Sequence, residues 1–217
     1  MSAIAGILDL LFPPRCVFCR KFLKTGEKDI CGKCRESLPV CPAEKAISSG
    51  EFYDICVSPL YYKDDVRRSI LRFKFNDATN YASCYGKILA ECIKDNLAGK
   101  YDMITWVPVS KEREKKRGYD QAMLLALATA LELDDVAVET LRKTKDIPAQ
   151  STLDGHEERK ANVVGVYEAT DGELINDKRI LVIDDIVTTG STLSECARTL
   201  LMAGAREVIC ATLARTE

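Results

Sequence analysis

The stretch RILVIDDIVTTGSTLSECARTLLMAGA, Arg179 to Ala205, decides the fold. Ile180 to Ile183 form a short apolar run of buried-strand character, and two adjacent carboxylates, Asp184 and Asp185, stand where such a strand would end. Thr188, Thr189, Gly190, Ser191 and Thr192 then make a small hydroxyl-rich turn. Leu193, Ala197, Leu200 and Leu201 recur at helical spacing, which predicts a helix starting near Ser191. A turn that opens a helix presents unpaired backbone N–H groups and the positive end of the helix dipole, an arrangement that suits a phosphate. Gly190 can take the positive φ that points several amides inward, and the hydroxyls add neutral donors. The carboxylates repel a phosphate, but they can accept hydrogen bonds from the vicinal hydroxyls of a ribose. The alternative is a plain strand–turn–helix, with Thr189 or Ser191 as N-cap and the aspartates on a solvated rim.

No Lys follows Gly190 as a Walker motif requires, and G-x-G-x-x-G does not occur, so P-loop and dinucleotide fingerprints are excluded. VIDDIVTTGST, residues 182–192, resembles the PRPP-binding motif of type I phosphoribosyltransferases. That resemblance implies that the two acids hold the ribose and that the Thr/Gly/Ser loop holds the 5′-phosphate.

The other end of the chain carries a second signal. Cys16 and Cys19 form one Cys-x-x-Cys, and Cys31 and Cys34 another. Two such knuckles complete a tetrahedral S₄ shell, which favours a closed, structural zinc. Arg15, Arg20, Lys21, Lys33 and Arg35 would offset the negative charge of a zinc tetrathiolate. Disulfides, which need an oxidising compartment, and iron–sulfur ligation are the rival readings. The opening MSAIAGILDLLFPPRC lacks a basic n-region and a small-residue cleavage site, and its apolar run is too short to span a membrane. A cytoplasmic location is therefore expected.

Composition agrees with a soluble protein. Hydrophobic residues make up 47% of the 217, and the net charge of −2 points by itself to neither a nucleic-acid nor a membrane partner. Of ten cysteines only four have ligand spacing. Cys84, Cys92, Cys196 and Cys210 fall in apolar patterns as small hydrophobes, and Cys41 and Cys56 fit either reading.

Around these anchors the chain alternates strands and helices, which predicts a parallel sheet with its ligand outside the carboxyl ends of the strands. A short helix with Ile4, Leu8 and Leu11 on one face is expected before Pro13, and PAEKAISSGE, residues 42–51, reads as a linker. Strands are expected from Ile55 to Tyr62, in YDMITWVPV and in EVICATLAR. Helices are expected after an Asp64 or Asp65 cap, from Tyr81 to Asn96, and from Asp120 to Leu133 with Met123, Leu124, Leu127 and Leu131 inward. The resulting organisation is a ribbon module over residues 1–45 and an α/β domain over 52–217.

Two polar stretches flank the expected site. VPVSKEREKKRGYDQA places Lys111, Arg113, Lys115, Lys116 and Arg117 after a strand, where cations could neutralise a pyrophosphate leaving group. A solvated loop, or a groove for single-stranded nucleic acid, is the alternative. LRKTKDIPAQSTLDGHEERKANVVGVYEA is long enough to act as a lid, with Arg142, Lys143 and Lys145 as further pyrophosphate candidates and His156 as a solvated side chain.

Taken together, the cysteine ribbon, WVPVSKEREKKRGYDQA, IPAQSTLDGHEERKANVVGVY and VIDDIVTTGST resemble the ComF family (ComFC- and GntX-like proteins) from about Phe12 to Arg215. The resemblance implies a type I phosphoribosyltransferase-like parallel sheet flanked by helices, behind a small N-terminal zinc ribbon. It also implies Mg²⁺ accompanying PRPP, Asp185 as an electrostatic catalytic group, and a link to DNA uptake in natural competence. Single-stranded DNA or competence-machinery proteins would then be partners, and a non-catalytic PRPP sensor or DNA-handling module is the alternative function. Gln150, Arg159 and Asn162 match the residue types of the family's lid motif. Two departures stand out. Only Cys41 and Cys56 remain where a second ribbon would lie, so one zinc is expected, and Asp120 replaces the Asn common after the Arg-Gly-aromatic turn.

Overall fold

The computed structural model describes residues 13–144 and 165–217. Its centre is the strand read first from sequence. In chain order the elements that frame it are helices α1 (Gly32–Ser37) and α2 (Ala43–Ala46), strands β1 (Ile47–Ser48), β2 (Cys56–Val57) and β3 (Leu60–Tyr61), and helices α3 (Asp64–Phe75) and α4 (Tyr81–Leu97). Strand β4 (Met103–Trp106), helices α5 (Lys111–Arg117) and α6 (Gln121–Glu132), and strands β5 (Leu141–Lys143) and β6 (Tyr167–Ala169) come next. Helix α7 (Gly172–Ile175), strand β7 (Arg179–Val187), helix α8 (Ser191–Met202) and strand β8 (Glu207–Arg215) complete the described chain.

The main sheet has the order β1-β2-β8-β7-β4, with β3 also pairing to β8. Strand β7 is parallel to both neighbours, with Ile180 opposite Val208 on one side and Met103 on the other. Ile180 to Ile183 have no exposed surface, because both faces of the sheet are covered. One face packs on α3, α4 and α6 around Ile70, Phe73, Tyr85 and Leu125, and the other packs on α8 and β6 around Leu193, Cys196 and Tyr167.

Several expectations need correction. The acids do not terminate β7. The strand continues to Val187, and Asp184 still pairs with Thr212. The expected Ile55–Tyr62 strand is two short strands, both parallel to β8. Pro59 has no N–H to give, and Ser58 directs its N–H to Ala46 and its hydroxyl to Thr212 at 2.7 Å. The stretch read as a linker forms α2 and β1 and pairs with β2. Lys63, not Asp64 or Asp65, is the N-cap of α3, and both acids lie in its first turn.

The inward face of α6 is only half as expected: Met123 and Leu124 pack, partly buried, against the core, but Leu127 and Leu131 do not. Ala122, Leu125, Ala126, Thr129 and Ala130 are buried, whereas Leu127 and Leu131 are exposed. QAMLLALATALE is apolar almost all round, so periodicity does not single out a face; close helix contact does. A Cβ at Gly86 of α4 would lie 2.7 Å from the backbone carbon of Ala128, so the two helices approach through their smallest residues. Asp120 caps α6 through Oδ1, which accepts from Ala122 N (2.8 Å) and Met123 N (3.0 Å). Its Oδ2 accepts from Val109 N at 2.9 Å. Both oxygens of the residue that departs from the family's Asn are therefore occupied by backbone. The short N-terminal helix expected over residues 2–12 lies outside the described residues.

Candidate functional site

Successive strand residues face opposite sides of a sheet, so the two neighbouring acids part company. Asp185 turns to the α3 face, 3% exposed, with Oδ2 2.9 Å from the Lys74 ammonium. No aligned hydrogen bond reaches that oxygen among the described residues, so the contact is an electrostatic pairing. Asp184 turns to the α8 face, near Tyr167 and Cys196. It keeps some open surface but is densely enclosed by protein, and its Oδ1 accepts the Asp185 N–H at 2.8 Å. Burial first, and the Asp185 charge second, push the Asp184 carboxyl well above the usual carboxylate range, with Lys74 pulling the other way. Burial alone would lower Lys74, but Asp185 and Asp184 outweigh it and hold the ammonium above its ordinary value.

The turn after β7 runs Thr188 to Gly190, and Gly190 is the N-cap of α8 at φ +76°. Gly190 has no side chain with which to cap α8. Thr189 Oγ1 lies 2.9 Å from Ser191 Oγ and 3.4 Å from Ser191 N. The hydroxyls thus knit the turn together, and Thr189 takes one of the leading amides, that of Ser191. Thr192 lies in the same first helical turn.

The basic segment expected as a loop is helix α5. Ser110 accepts from Arg113 N at 3.3 Å as its cap, and Gly118 closes it in a left-handed conformation. Helical spacing sorts its cations. Arg113 and Arg117, four apart, are half-buried on one side, whereas Lys111, Lys115 and Lys116 are exposed. Arg117 lies over the Phe75 ring at 4.8 Å and donates to Gln121 Oε1 at 2.7 Å. Burial lowers its pKa, and the Asp185 charge opposes that, which places Arg117 in the field of the acid pair. Lys143 on β5 lies 5.4 Å from the centroid of the buried Tyr167 ring. Lys145, Gln150, His156, Arg159 and Asn162 lie outside the described residues.

Lys74 was missed at the sequence level, although a signal was present. Val66, Ile70 and Lys74 follow the i, i+4 spacing of the buried stripe of α3, so the lysine occupies a position where an apolar residue would be expected.

A second site lies at the ribbon. The Sγ atoms of Cys16, Cys19, Cys31 and Cys34 all fall within 4.8 Å of one another, and Cys19 and Cys31 are 3.6 Å apart. Tetrahedral zinc with Zn–S bonds of about 2.3 Å needs sulfurs about 3.8 Å apart, so the four thiols fit that metal. Burial would raise the Cys16 thiol, but the backbone N–H groups of Cys31, Cys19 and Phe18 together lower it to about 7. Among the described residues this is the one group of cysteine, histidine or acid side chains close enough to hold an ion. Cys41 and Cys56 are buried elsewhere, their thiols raised to about 11 and about 12 mainly by that burial. All ten cysteines are free of disulfides.

The ribbon is bound into the main core. Phe18 has no exposed surface and lies 6.1 Å from the Tyr85 ring. The Ser69 hydroxyl donates to Val17 O at 2.6 Å, and Arg72 Nη2 donates to Val17 O at 3.0 Å and Phe18 O at 2.6 Å. No helix among the described residues is long and apolar enough to cross a membrane.

Comparison with known proteins matches two segments of the chain. Residues 120–217 match the phosphoribosyl transferase domain family, and residues 7–46 match the double zinc ribbon domain. Competence protein F of Haemophilus influenzae is 25% identical over 215 aligned positions, covering 89% of this chain and 93% of that protein. DNA utilization protein YhgH of Escherichia coli K12 is 26% identical over 229 positions, covering 95% and 99%. Competence protein ComFC of Bacillus subtilis is 27% identical over 150 positions, covering 66% of this chain and 56% of that protein, so the match spans about half the length of ComFC. The acid-bearing strand falls within one matched segment and the four clustered cysteines within the other, so this chain carries a segment similar to a phosphoribosyl transferase domain behind one similar to a zinc ribbon, in the company of relatives named competence protein F and DNA utilization protein YhgH.

Proposed function

We propose that this protein binds PRPP with Mg²⁺ and acts as a glycosyltransferase, passing phosphoribose to a nitrogen nucleophile with release of pyrophosphate. The observation that carries the reading is the acid pair on β7 leading directly into a hydroxyl-rich helix start whose N-cap is the left-handed Gly190. Asp184 and Asp185 accept hydrogen bonds from the ribose hydroxyls, and Thr188, Thr189, Gly190, Ser191 and Thr192 cradle the 5′-phosphate. Arg113 and Arg117 take the pyrophosphate side, with Lys111 and Lys143 as further cations; Lys145, outside the described residues, is a further candidate from the sequence alone. Mg²⁺ carried by PRPP supplies neutralising charge at the leaving group.

No protein nucleophile is required, because the transition state of such a transfer resembles an oxocarbenium ion and responds to positioning and electrostatics. Asp185 stabilises positive charge at the sugar, and Lys74 limits how much of its field is left for that role. The relatives' names, competence protein and DNA utilization protein, support a setting in DNA uptake, and single-stranded DNA or competence-machinery proteins are the partners in this reading.

Calorimetry with PRPP and Mg²⁺, followed by a pyrophosphate-release assay across ammonia and nucleobases, tests the proposal. Binding that is lost in the Asp184→Asn, Asp185→Asn double variant, with turnover on some acceptor, is expected. Binding without release on any acceptor would reduce the protein to a PRPP sensor, and unchanged affinity in the double variant would discard the site.

A further inference from the structure

We propose that the anion cradle after β7 is completed from outside its own motif, by the Tyr53 hydroxyl and the Arg215 guanidinium, as a site for a phosphate monoester. The inference rests on the PRPP reading for its natural ligand, but its geometry stands apart from the acid pair.

Tyr53 precedes β2 and is 4% exposed, yet its hydroxyl has no hydrogen-bond partner among the described residues. Two glycines from separate segments make room for it. A Cβ at Gly50 would collide with the Tyr53 ring, and a Cβ at Gly190 would lie 2.5 Å from the Tyr53 oxygen. Gly190 is also the left-handed N-cap of α8, so the phenol ends against the residue that opens the helix. The ring is buried, but the oxygen is not one of the fully buried unpartnered atoms; it opens on the cavity beside Gly190, where a ligand can accept from it.

Tyr53 lines a cavity of about 120 Å³ together with Ser48, Ser49, Thr188 and Thr189, and Arg215 stands in the same wall. Among the described residues no acid lines it. One arm of Arg215 is fixed by donation from Nη1 to Lys45 O at 2.8 Å, which leaves the rest of a five-donor fork for an anion. Arg215 is brought there by register, opposite Val187 in the β7–β8 pair, one residue before the motif loop. Burial also raises the phenol above its ordinary value, so it remains a neutral donor throughout the physiological range. Hydroxyls, helix amides and one guanidinium, with no carboxylate, match a tetrahedral oxyanion.

The test uses the full chain with two probes, inorganic phosphate and PRPP with Mg²⁺, measured by calorimetry. Tyr53→Phe keeps the ring between its glycines and deletes only the oxygen, so its melting temperature should match the parent. Both Tyr53→Phe and Arg215→Gln are expected to weaken phosphate and PRPP alike, by about tenfold for the loss of a charge-assisted hydrogen bond. The Asp184→Asn, Asp185→Asn chain should lose PRPP affinity and keep phosphate affinity. Parent-like binding of both probes by Tyr53→Phe and Arg215→Gln would overturn the inference and leave the PRPP reading standing. Phosphate binding that depends on Tyr53, without PRPP binding, would support the inference and overturn that reading. A parent chain that binds neither probe would overturn both.

Discussion

Lys74 and Asp185 stand 2.9 Å apart, a cation from the last turn of one helix set against a carboxylate buried on the central strand. Charges of this kind are costly to bury singly and tolerable only as a pair. The acid that serves the ribose in our reading is thus also held by the fold.

Lys74→Met should therefore destabilise the protein by about 3 kcal/mol, because it strands the Asp185 charge. Adding Asp185→Asn to that variant should recover most of the loss. Urea midpoints at constant m-value measure both effects. A Lys74→Met midpoint equal to the parent's would show that the pair carries no stability.

Asp184→Asn should act in the opposite direction, raising stability at neutral pH by about 1 kcal/mol while weakening PRPP binding, as expected when a site holds an unfavourable charge for function. The sign follows from linkage. The folded carboxyl titrates above its unfolded value, so the folded chain holds the extra proton and stability falls as pH rises from about 4 through the raised value. Asparagine removes that slope. Parallel stability–pH curves for parent and variant would contradict the assignment.

Metal analysis should find one zinc per chain. Cys31→Ser should lose the metal and melt about 10 °C lower, since several kilocalories of metal binding are also folding energy. Two bound ions, or none, would overturn the single-cage reading.

The α4–α6 contact separates two substitutions that look alike in sequence. Gly86→Val forces a side chain into the Ala128 backbone and should cost about 1–3 kcal/mol. Leu131→Lys, at a position 77% exposed, should change stability by less than about 0.5 kcal/mol. Equal thermal shifts for the two would place the helix interface elsewhere.

These contrasts also show how far sequence reading reaches. The β7–turn–α8 unit was legible because strand, acids, turn and helix are contiguous, and each obeys a local rule. The four cysteines were legible because ligand spacing is local too. Lys74 and Tyr53 were not singled out, since each reaches its neighbour through tertiary structure: a helix end meeting a strand, and a ring wedged between two distant glycines. The inward face of α6 failed in part for a different reason. Its sequence is apolar nearly all round, and its packing on α4, close at Gly86, and on β7 and β4 decides which side is covered. The breadth of β7 was underestimated because carboxylates are poor strand residues in isolation, whereas β8 supplies partners as far as Val187.

Arg72, which grips the Val17 and Phe18 carbonyls, and Lys74 sit two positions apart on the same short rod. An α-helix turns about 100° per residue, so a one-step slip of α3 that suited the cysteine cage would swing the ammonium away from the strand. The two ends of this lever move together: whatever reshapes the four-cysteine cap also resets the cation beside Asp185.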